Sequence, residues 1–210
     1  MYHDQLDGTG VLSHSDVDSA LAPSVFESDG GKYGWEDLRV DGQTVRLPAA
    51  SAPVWTSTGT LGAYAFTPSG GEYAYFSAQL PHGYIGHTAY QSPSDAPYWH
   101  THFRNSATIG TGNTVTFRLS YSVGPVNGAM SNLLTADSTY TASATLAAGY
   151  SLMTSDVLLN GTYNYKASTI LLCRIERLSS DTFADDALLL STDFHLKMNR
   201  LGSSLRSGVR

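Results

Sequence analysis

The chain has 210 residues, and 41% of them are hydrophobic. This is enough to form one substantial hydrophobic core, but the chain is short for two separate domains. Its 12 Lys and Arg against 18 Asp and Glu give a formal net charge of -6, so its field repels a phosphate backbone and nucleic acid is not an expected partner. The N-terminus lacks the basic start and apolar stretch of a secretion signal, and no window is apolar enough to span a membrane.

The first part of the chain differs from the rest in composition and in its pattern of apolar residues. Residues 1 to 34 contain Asp, Ser and Gly with scattered apolar positions, and neither a helical nor an alternating period continues for more than a few residues. We expect an extended N-terminal arm at 1–34, a β-sandwich domain at 35–200 and a flexible C-terminal tail at 201–210. Arm and tail cannot bury themselves. The arm is either disordered or ordered on another subunit, and the tail either binds an acidic neighbour or is solvated; the preferred hypothesis is that both reach neighbouring subunits.

From Trp35 onward, short segments alternate apolar and polar residues between clusters of Gly, Pro, Asn and Ser, which is typical of strands. The clearest segment runs from Thr114 to Val123, with one face formed by Val115, Phe117, Leu119, Tyr121 and Val123 and expected to be buried. A second long strand is predicted from Ala187 to Met198, with one face formed by Leu188, Leu190, Phe194, Leu196 and Met198. Further strands are predicted at Gly62 to Phe66, Glu72 to Leu80, Tyr98 to Phe103, Thr139 to Leu146 and Ser168 to Leu178.

The spacing of these segments predicts the fold class. No stretch between the predicted strands holds a helical apolar period long enough for βαβ units, which disfavours a parallel sheet. We therefore expect an all-β protein, an antiparallel β-sandwich of jelly-roll-like form, with a closed barrel as the alternative.

Four sequence blocks stand out in chain order. They are GWEDLR at Gly34 to Arg39, FSAQLPH at Phe76 to His82, HTH at His100 to His102, and DTFADDA at Asp181 to Ala187, which continues into DFH at Asp193 to His195. Together they resemble proteins encoded among the structural genes of tailed bacteriophages and prophages. The resemblance implies a virion component near the head-tail region or tail, generally without catalytic activity.

Three histidines are candidate metal ligands. His100 and His102 lie two apart on a predicted strand and share a face, and His195 lies on the polar face of another strand. Convergent imidazoles could bind a divalent metal, as in a cupin-like metal-dependent enzyme. The glycine-rich blocks of that family are absent, so we expect no metal and no cofactor, with these histidines hydrogen-bonded across strands while Trp99 and Phe103 pack in the core.

Other candidate sites are weaker. Asp181, Asp185 and Asp186 could hold a hard cation such as calcium, but a turn cap or ion pairs with Arg174 and Arg177 fit their positions better. Cys173, the single cysteine, lies in an apolar run and is expected to be buried and unreactive. No Gly-x-Ser-x-Gly elbow or activated cysteine is present, so no catalytic residue is predicted.

These observations favour a non-enzymatic structural component of a tailed-phage virion, assembled in the host cytoplasm. Its expected partners are other copies of itself and neighbouring virion proteins. The alternative is an outward-facing capsid decoration or a receptor-binding or glycan-binding module, because the chain's three tryptophans and 13 tyrosines could form a sugar platform.

Overall fold

The structure, a computed structural model, describes residues 33–58, 61–84, 96–160, 162–163 and 165–199. These residues form strands and no helix, and none of them could therefore cross a membrane as a helix. The strands are β1 (Tyr33–Asp41), β2 (Val54–Thr58), β3 (Leu61–Phe66), β4 (Tyr73–Gln79), β5 (Tyr98–Asn105), β6 (Thr114–Gly124), β7 (Leu134–Thr141), β8 (Ser151–Met153), β9 (Val157–Leu158), β10 (Ile170–Arg177) and β11 (Ala187–Asn199). The predicted arm up to residue 32 and the predicted tail lie outside the described residues.

The larger sheet has seven strands and is organised around β11. Its first residues pair with β3, which in turn pairs with β2, and its remaining length pairs with β1 along the same edge. The opposite edge of β11 pairs with β5, and β5 carries the short strands β8 and β9. The length of β11 thus lets one strand hold three neighbours in register.

The smaller sheet has four strands in the order β4, β10, β6 and β7, all antiparallel. The chain moves repeatedly between the two sheets, because β4, β6, β7 and β10 belong to one and the strands between them to the other. This arrangement confirms the predicted all-β, antiparallel, jelly-roll-like sandwich.

The core lies between the sheets and follows the predicted alternation. In β6 the side chains of Val115, Phe117, Leu119, Tyr121 and Val123 are all buried, as predicted. Trp99 and Phe103 of β5 are also fully buried, and the indole nitrogen of Trp99 donates a hydrogen bond of 2.6 Å to Oγ1 of Thr192. Every second residue of β6, together with Trp99 and Phe103 of β5, therefore belongs to one continuous core.

The prediction for β11 was wrong in one respect. The pairing of β11 with β5 shifts register between Leu189 and Ser191, as a β-bulge does. Ala187 and Leu189 therefore face the main core together with Phe194, whereas Leu188 packs against Ala63 and Ala65 elsewhere. A single extra residue reverses the faces, so uninterrupted alternation places Leu188 on the wrong side.

Other differences concern strand positions. The strand predicted at Thr139 to Leu146 is shifted, since β7 covers Leu134–Thr141 and Leu146 contributes only an isolated bridge to Ile109. The strand pattern was predicted from Trp35, but β1 begins at Tyr33, inside the predicted arm. Strands β2, β8 and β9 were not predicted, because five, three and two residues are too short to show a period.

Candidate histidine site and tyrosine groove

A group of ionisable side chains occupies the outer face of the seven-stranded sheet. Paired residues of antiparallel strands point to the same face, so the pairs Arg39 with Asp193 and Asp193 with His100 form one row across β1, β11 and β5. We call this group the histidine cluster, and its members are Asp37, Arg39, His100, His102, Asp156, Asp193 and His195.

Asp193 lies at the centre of the histidine cluster and is fully buried. Its Oδ2 accepts two hydrogen bonds of 3.1 Å from the guanidinium of Arg39. The same oxygen lies 3.4 Å from Nε2 of His102 and 3.8 Å from Nε2 of His100. Its other oxygen, Oδ1, is buried and has no hydrogen-bond partner among the described residues.

His100 is held on both ring nitrogens. Its Nδ1 lies 2.9 Å from Oδ1 of Asp156, and its Nε2 lies 3.0 Å from Nε2 of His102. Because a carboxylate oxygen can only accept, Nδ1 carries the proton, and in the neutral ring Nε2 keeps its lone pair. That lone pair is directed towards His102 and Asp193.

His102 is partly buried, and burial lowers its pKa while the carboxylate of Asp193 opposes this effect. Its ring is therefore neutral at neutral pH. In this structure its Nε2–H donates to Nε2 of His100, and in the other tautomer its Nε2 offers a lone pair beside Asp193. Since the side chain keeps some exposure to solvent, the space beside it is reachable from outside.

The third candidate histidine is close but has different partners. The rings of His195 and His100 have centroids 4.5 Å apart. Nε2 of His195 lies 3.0 Å from Asp37, and its Nδ1 lies 3.5 Å from Asp156. The structure thus brings the three candidate histidines together. However, the atom that lies close to Nε2 of both His100 and His102 is Oδ2 of Asp193, not a nitrogen of His195.

Three of the segments singled out in the sequence meet here. Gly34 to Arg39 lies in β1, His100 to His102 in β5, and Asp193 to His195 in β11, which are three neighbouring strands. The block Phe76 to His82 lies apart, beginning in β4 of the other sheet. Blocks that are about 60 and 90 residues apart in sequence therefore supply one surface.

Aromatic and apolar side chains border the histidine cluster. Trp35 is 52% exposed, and its ring contacts that of Tyr98 edge to face at 5.7 Å. Leu158 pairs with Tyr98 and Met153 pairs with His102, and both side chains are exposed on this face.

A second surface feature is an open groove of about 760 Å³ at the four-stranded sheet. We call it the tyrosine groove, and its lining consists of Val40, Thr44, Arg46, Tyr75, Phe76, Ser77, Ser120, Ser122, Leu133, Leu172, Cys173 and Arg174. Phe76 and Cys173 belong to the core, while Tyr75, Ser77, Leu172 and Arg174 alternate with core residues and so point outward.

Tyr75 and Arg174 give the groove its chemistry. Tyr75 is 42% exposed and contacts Tyr73 edge to face at 5.4 Å. The guanidinium of Arg174 lies over the ring of Tyr73 and donates to Glu176, while its Nε is buried without a partner among the described residues. The groove therefore combines an exposed aromatic ring with the guanidinium groups of Arg46 and Arg174.

Of the three aspartates before β11, Asp181 is paired with an arginine. Both carboxylate oxygens of Asp181 accept hydrogen bonds from the guanidinium of Arg177, at 2.8 and 2.9 Å. Asp185 contributes its backbone carbonyl to the same guanidinium. The pairing with Arg177 therefore follows one of the two predicted alternatives, whereas Arg174 binds Glu176.

Cys173 is buried, as predicted, and burial raises the pKa of its thiol. A thiol that stays protonated is a poor nucleophile, so its position agrees with a packing role.

No protein-family model matches the chain, and no curated protein matches it. Among solved structures, the CBM36-1 domain of a multidomain xylanase from the hindgut metagenome of Trinervitermes trinervoides is similar over 76% of this chain and 96% of that chain, with 10% identity and a TM-score of 0.34. The CBM22-1 and GH10 modules of the Clostridium thermocellum endo-1,4-beta-D-xylanase 10B, in complex with xylohexaose, are similar over 82% of this chain and 28% of that chain, with 15% identity and a TM-score of 0.36. At these values neither similarity bears on function.

Proposed function

We propose that the chain is a non-catalytic carbohydrate-binding module that holds a neutral oligosaccharide in the tyrosine groove. The observation that carries the proposal is the composition of the groove, in which an exposed aromatic ring, hydroxyl groups and guanidinium N–H groups surround one space of about 760 Å³. Its size lies within the usual range for small-molecule sites, roughly 300–1,000 Å³.

The chemistry of a sugar suits this lining. One face of a pyranose ring is apolar and can pack on an aromatic ring such as that of Tyr75, while its hydroxyls need donors and acceptors at the edges. Ser77, Ser122 and Thr44 supply hydroxyls, and Arg46 and Arg174 supply guanidinium groups at the wall of the groove.

Calorimetric titration with a panel of neutral oligosaccharides tests the proposal. The variant Tyr75→Ala should weaken binding of any ligand found by about tenfold or more, which corresponds to about 1.4 kcal/mol. Tyr150→Ala is the matched control, because Tyr150 is 50% exposed and does not line the groove. Binding that is equally weak in both variants, or absent from the whole panel, would contradict the proposal.

The second candidate is a structural virion component whose subunits meet at this same sheet. It is supported by the resemblance of the four sequence blocks and by exposed apolar side chains at one end of the groove. Leu133 and Leu172 line the groove. Ile170, which pairs with Gly124, and Met130, whose side chain lies against Gly124, are also exposed. Exposed apolar side chains that lie together are typical of contact surfaces.

Light scattering of the purified chain distinguishes the candidates. A stable oligomer that Leu172→Asp converts to a monomer, without loss of thermal stability, would support assembly through this surface. A monomer that binds oligosaccharide would support the carbohydrate-binding module. If the chain neither associates nor binds to isolated phage particles lacking it, the virion proposal fails.

A further inference from the structure

We propose that Nε2 of His100, Nε2 of His102 and Oδ2 of Asp193 form a binding site for one divalent transition-metal ion of the zinc class. This site lies on the opposite sheet from the tyrosine groove and does not depend on the proposed function. The three residues come from only two neighbouring strands, β5 and β11, so the sheet itself fixes their relative positions.

The spacing of the three atoms fits such an ion. They form a triangle with edges of 3.0, 3.4 and 3.8 Å. Two ligand atoms of a tetrahedral site with bonds of about 2.0–2.1 Å lie about 3.3–3.4 Å apart, which these edges bracket. An ion at that bond length from all three atoms would lie slightly outside the plane of the triangle, with its remaining coordination positions open.

The surrounding hydrogen bonds prepare His100 as a ligand. Asp156 holds Nδ1–H of His100 at 2.9 Å, which keeps the lone pair of Nε2 directed at the site. A carboxylate in this position fixes the tautomer and raises the basicity of a histidine ligand in many metal sites. Asp156 lies between β8 and β9 and thus supports the site from a separate part of the chain.

Charge also favours a dication. Asp37, Asp156 and Asp193 with Arg39 carry a formal charge of -2. Asp193 is fully buried, and its Oδ1 has no hydrogen-bond partner in the described part of the chain. The guanidinium of Arg39 binds only Oδ2, so the buried carboxylate is not fully compensated by its ion pair. Two imidazoles with one carboxylate favour a first-row transition metal over Ca²⁺ or Mg²⁺, which take oxygen ligands.

Cobalt and zinc titrations of the full chain, after treatment with a chelator, test the site. We expect one equivalent of Co²⁺ to bind with visible absorption of a low-coordinate complex, and Zn²⁺ to displace it. His102→Gln should weaken Zn²⁺ binding by on the order of 100-fold, and Asp156→Asn by about 10-fold to 100-fold. His195→Gln, which removes a neighbouring imidazole outside the triangle, should change the affinity by less than about threefold.

Thermal unfolding of each metal-free variant shows whether it is folded, and His102 is the preferred position because its side chain is partly exposed. Absence of stoichiometric binding by the unmodified chain at about 10 µM metal would overturn the proposal. It would also be overturned if His195→Gln weakened binding more than His102→Gln, because the ion would then lie among His100, Asp156 and His195.

Discussion

Arg177 and Asp181 form an ion pair in which neither side chain is exposed to solvent. Two parallel hydrogen bonds join them, and the remaining guanidinium donors bind the backbone carbonyls of Phe66, Phe183 and Asp185. This one side chain therefore ties the end of β3 to β10 and to the segment that leads into β11. All of its contacts lie inside the protein, where an unpaired charge is costly.

We predict that Asp181→Ala lowers the free energy of unfolding by about 3–5 kcal/mol, since it leaves the buried guanidinium without its partner. The control is Asp137→Ala, which breaks the exposed pair between Asp137 and Arg118 and should cost about 1 kcal/mol or less. Urea unfolding of both variants measures the difference. Equal losses would show that burial does not distinguish the two pairs.

The sequence predicts parts of the fold where local pattern and tertiary environment agree. The alternation of β6 matches its buried face because both of its neighbours pair along the strand without a bulge. The Gly-Thr-Gly-Asn sequence from Gly110 to Asn113 is typical of a turn, and in the structure Oδ1 of Asn113 accepts a hydrogen bond of 2.8 Å from the backbone N–H of Gly110. In both cases the information lies within a few consecutive residues.

The candidate site could be predicted only in part. The faces of His100 and His102 follow from period-two alternation, but the distance from them to Asp193 depends on which strands are neighbours and in which register. Asp156 lies between strands of three and two residues, which show no period. The sequence therefore identifies the histidines but cannot identify the carboxylates that complete the cluster.

Thr192→Val should destabilise the fold by about 1–3 kcal/mol, although the two side chains have nearly the same shape. Oγ1 of Thr192 accepts from the indole N–H of Trp99 at 2.6 Å and donates to the carbonyl of His100 at 3.1 Å, and both residues are buried. The valine leaves the indole N–H unsatisfied. Chemical unfolding measures the effect, with Thr135→Val on the exposed face of β7 as the control.

Gly42→Ala is predicted to be strongly destabilising, by about 2 kcal/mol or more, because the added methyl group meets backbone. It would lie 2.7 Å from the carbonyl oxygen of Leu189 and 2.8 Å from that of Leu190, next to the bulge of β11. Gly71→Ala provides the comparison. That position has a φ of 82° and open space, so strain alone should cost about 1 kcal/mol.

Thermal denaturation of both glycine variants tests this ranking. A loss for Gly42→Ala no larger than that for Gly71→Ala would mean that β1 and β11 separate easily at the bulge. A larger loss would show that their close approach there is required for the sheet.

Two buried tyrosines should make the fold sensitive to alkali. Burial raises the pKa of Tyr121 and of Tyr165 above the ordinary value of 10.0, and the hydroxyl of Tyr165 donates to that of Tyr121 at 3.4 Å. The unfolded chain loses these protons near pH 10 while the folded chain retains them, so above that pH the folded state binds more protons. Their contribution is fully present below about pH 10 and is lost as the pH rises further.

The variant Tyr165→Phe lacks one of these two phenol protons, so the folded and unfolded states of the variant differ by fewer bound protons above pH 10. The free energy of unfolding of the unmodified chain should fall between about pH 10 and pH 11.5. The free energy of unfolding of the variant should fall less steeply, and the two slopes should differ by up to about 1.4 kcal/mol per pH unit. Urea unfolding at a series of pH values measures both slopes, and Tyr150→Phe at an exposed position controls for the loss of a hydroxyl. Identical slopes for Tyr165→Phe and the unmodified chain would mean that the phenol of Tyr165 ionises within the folded protein.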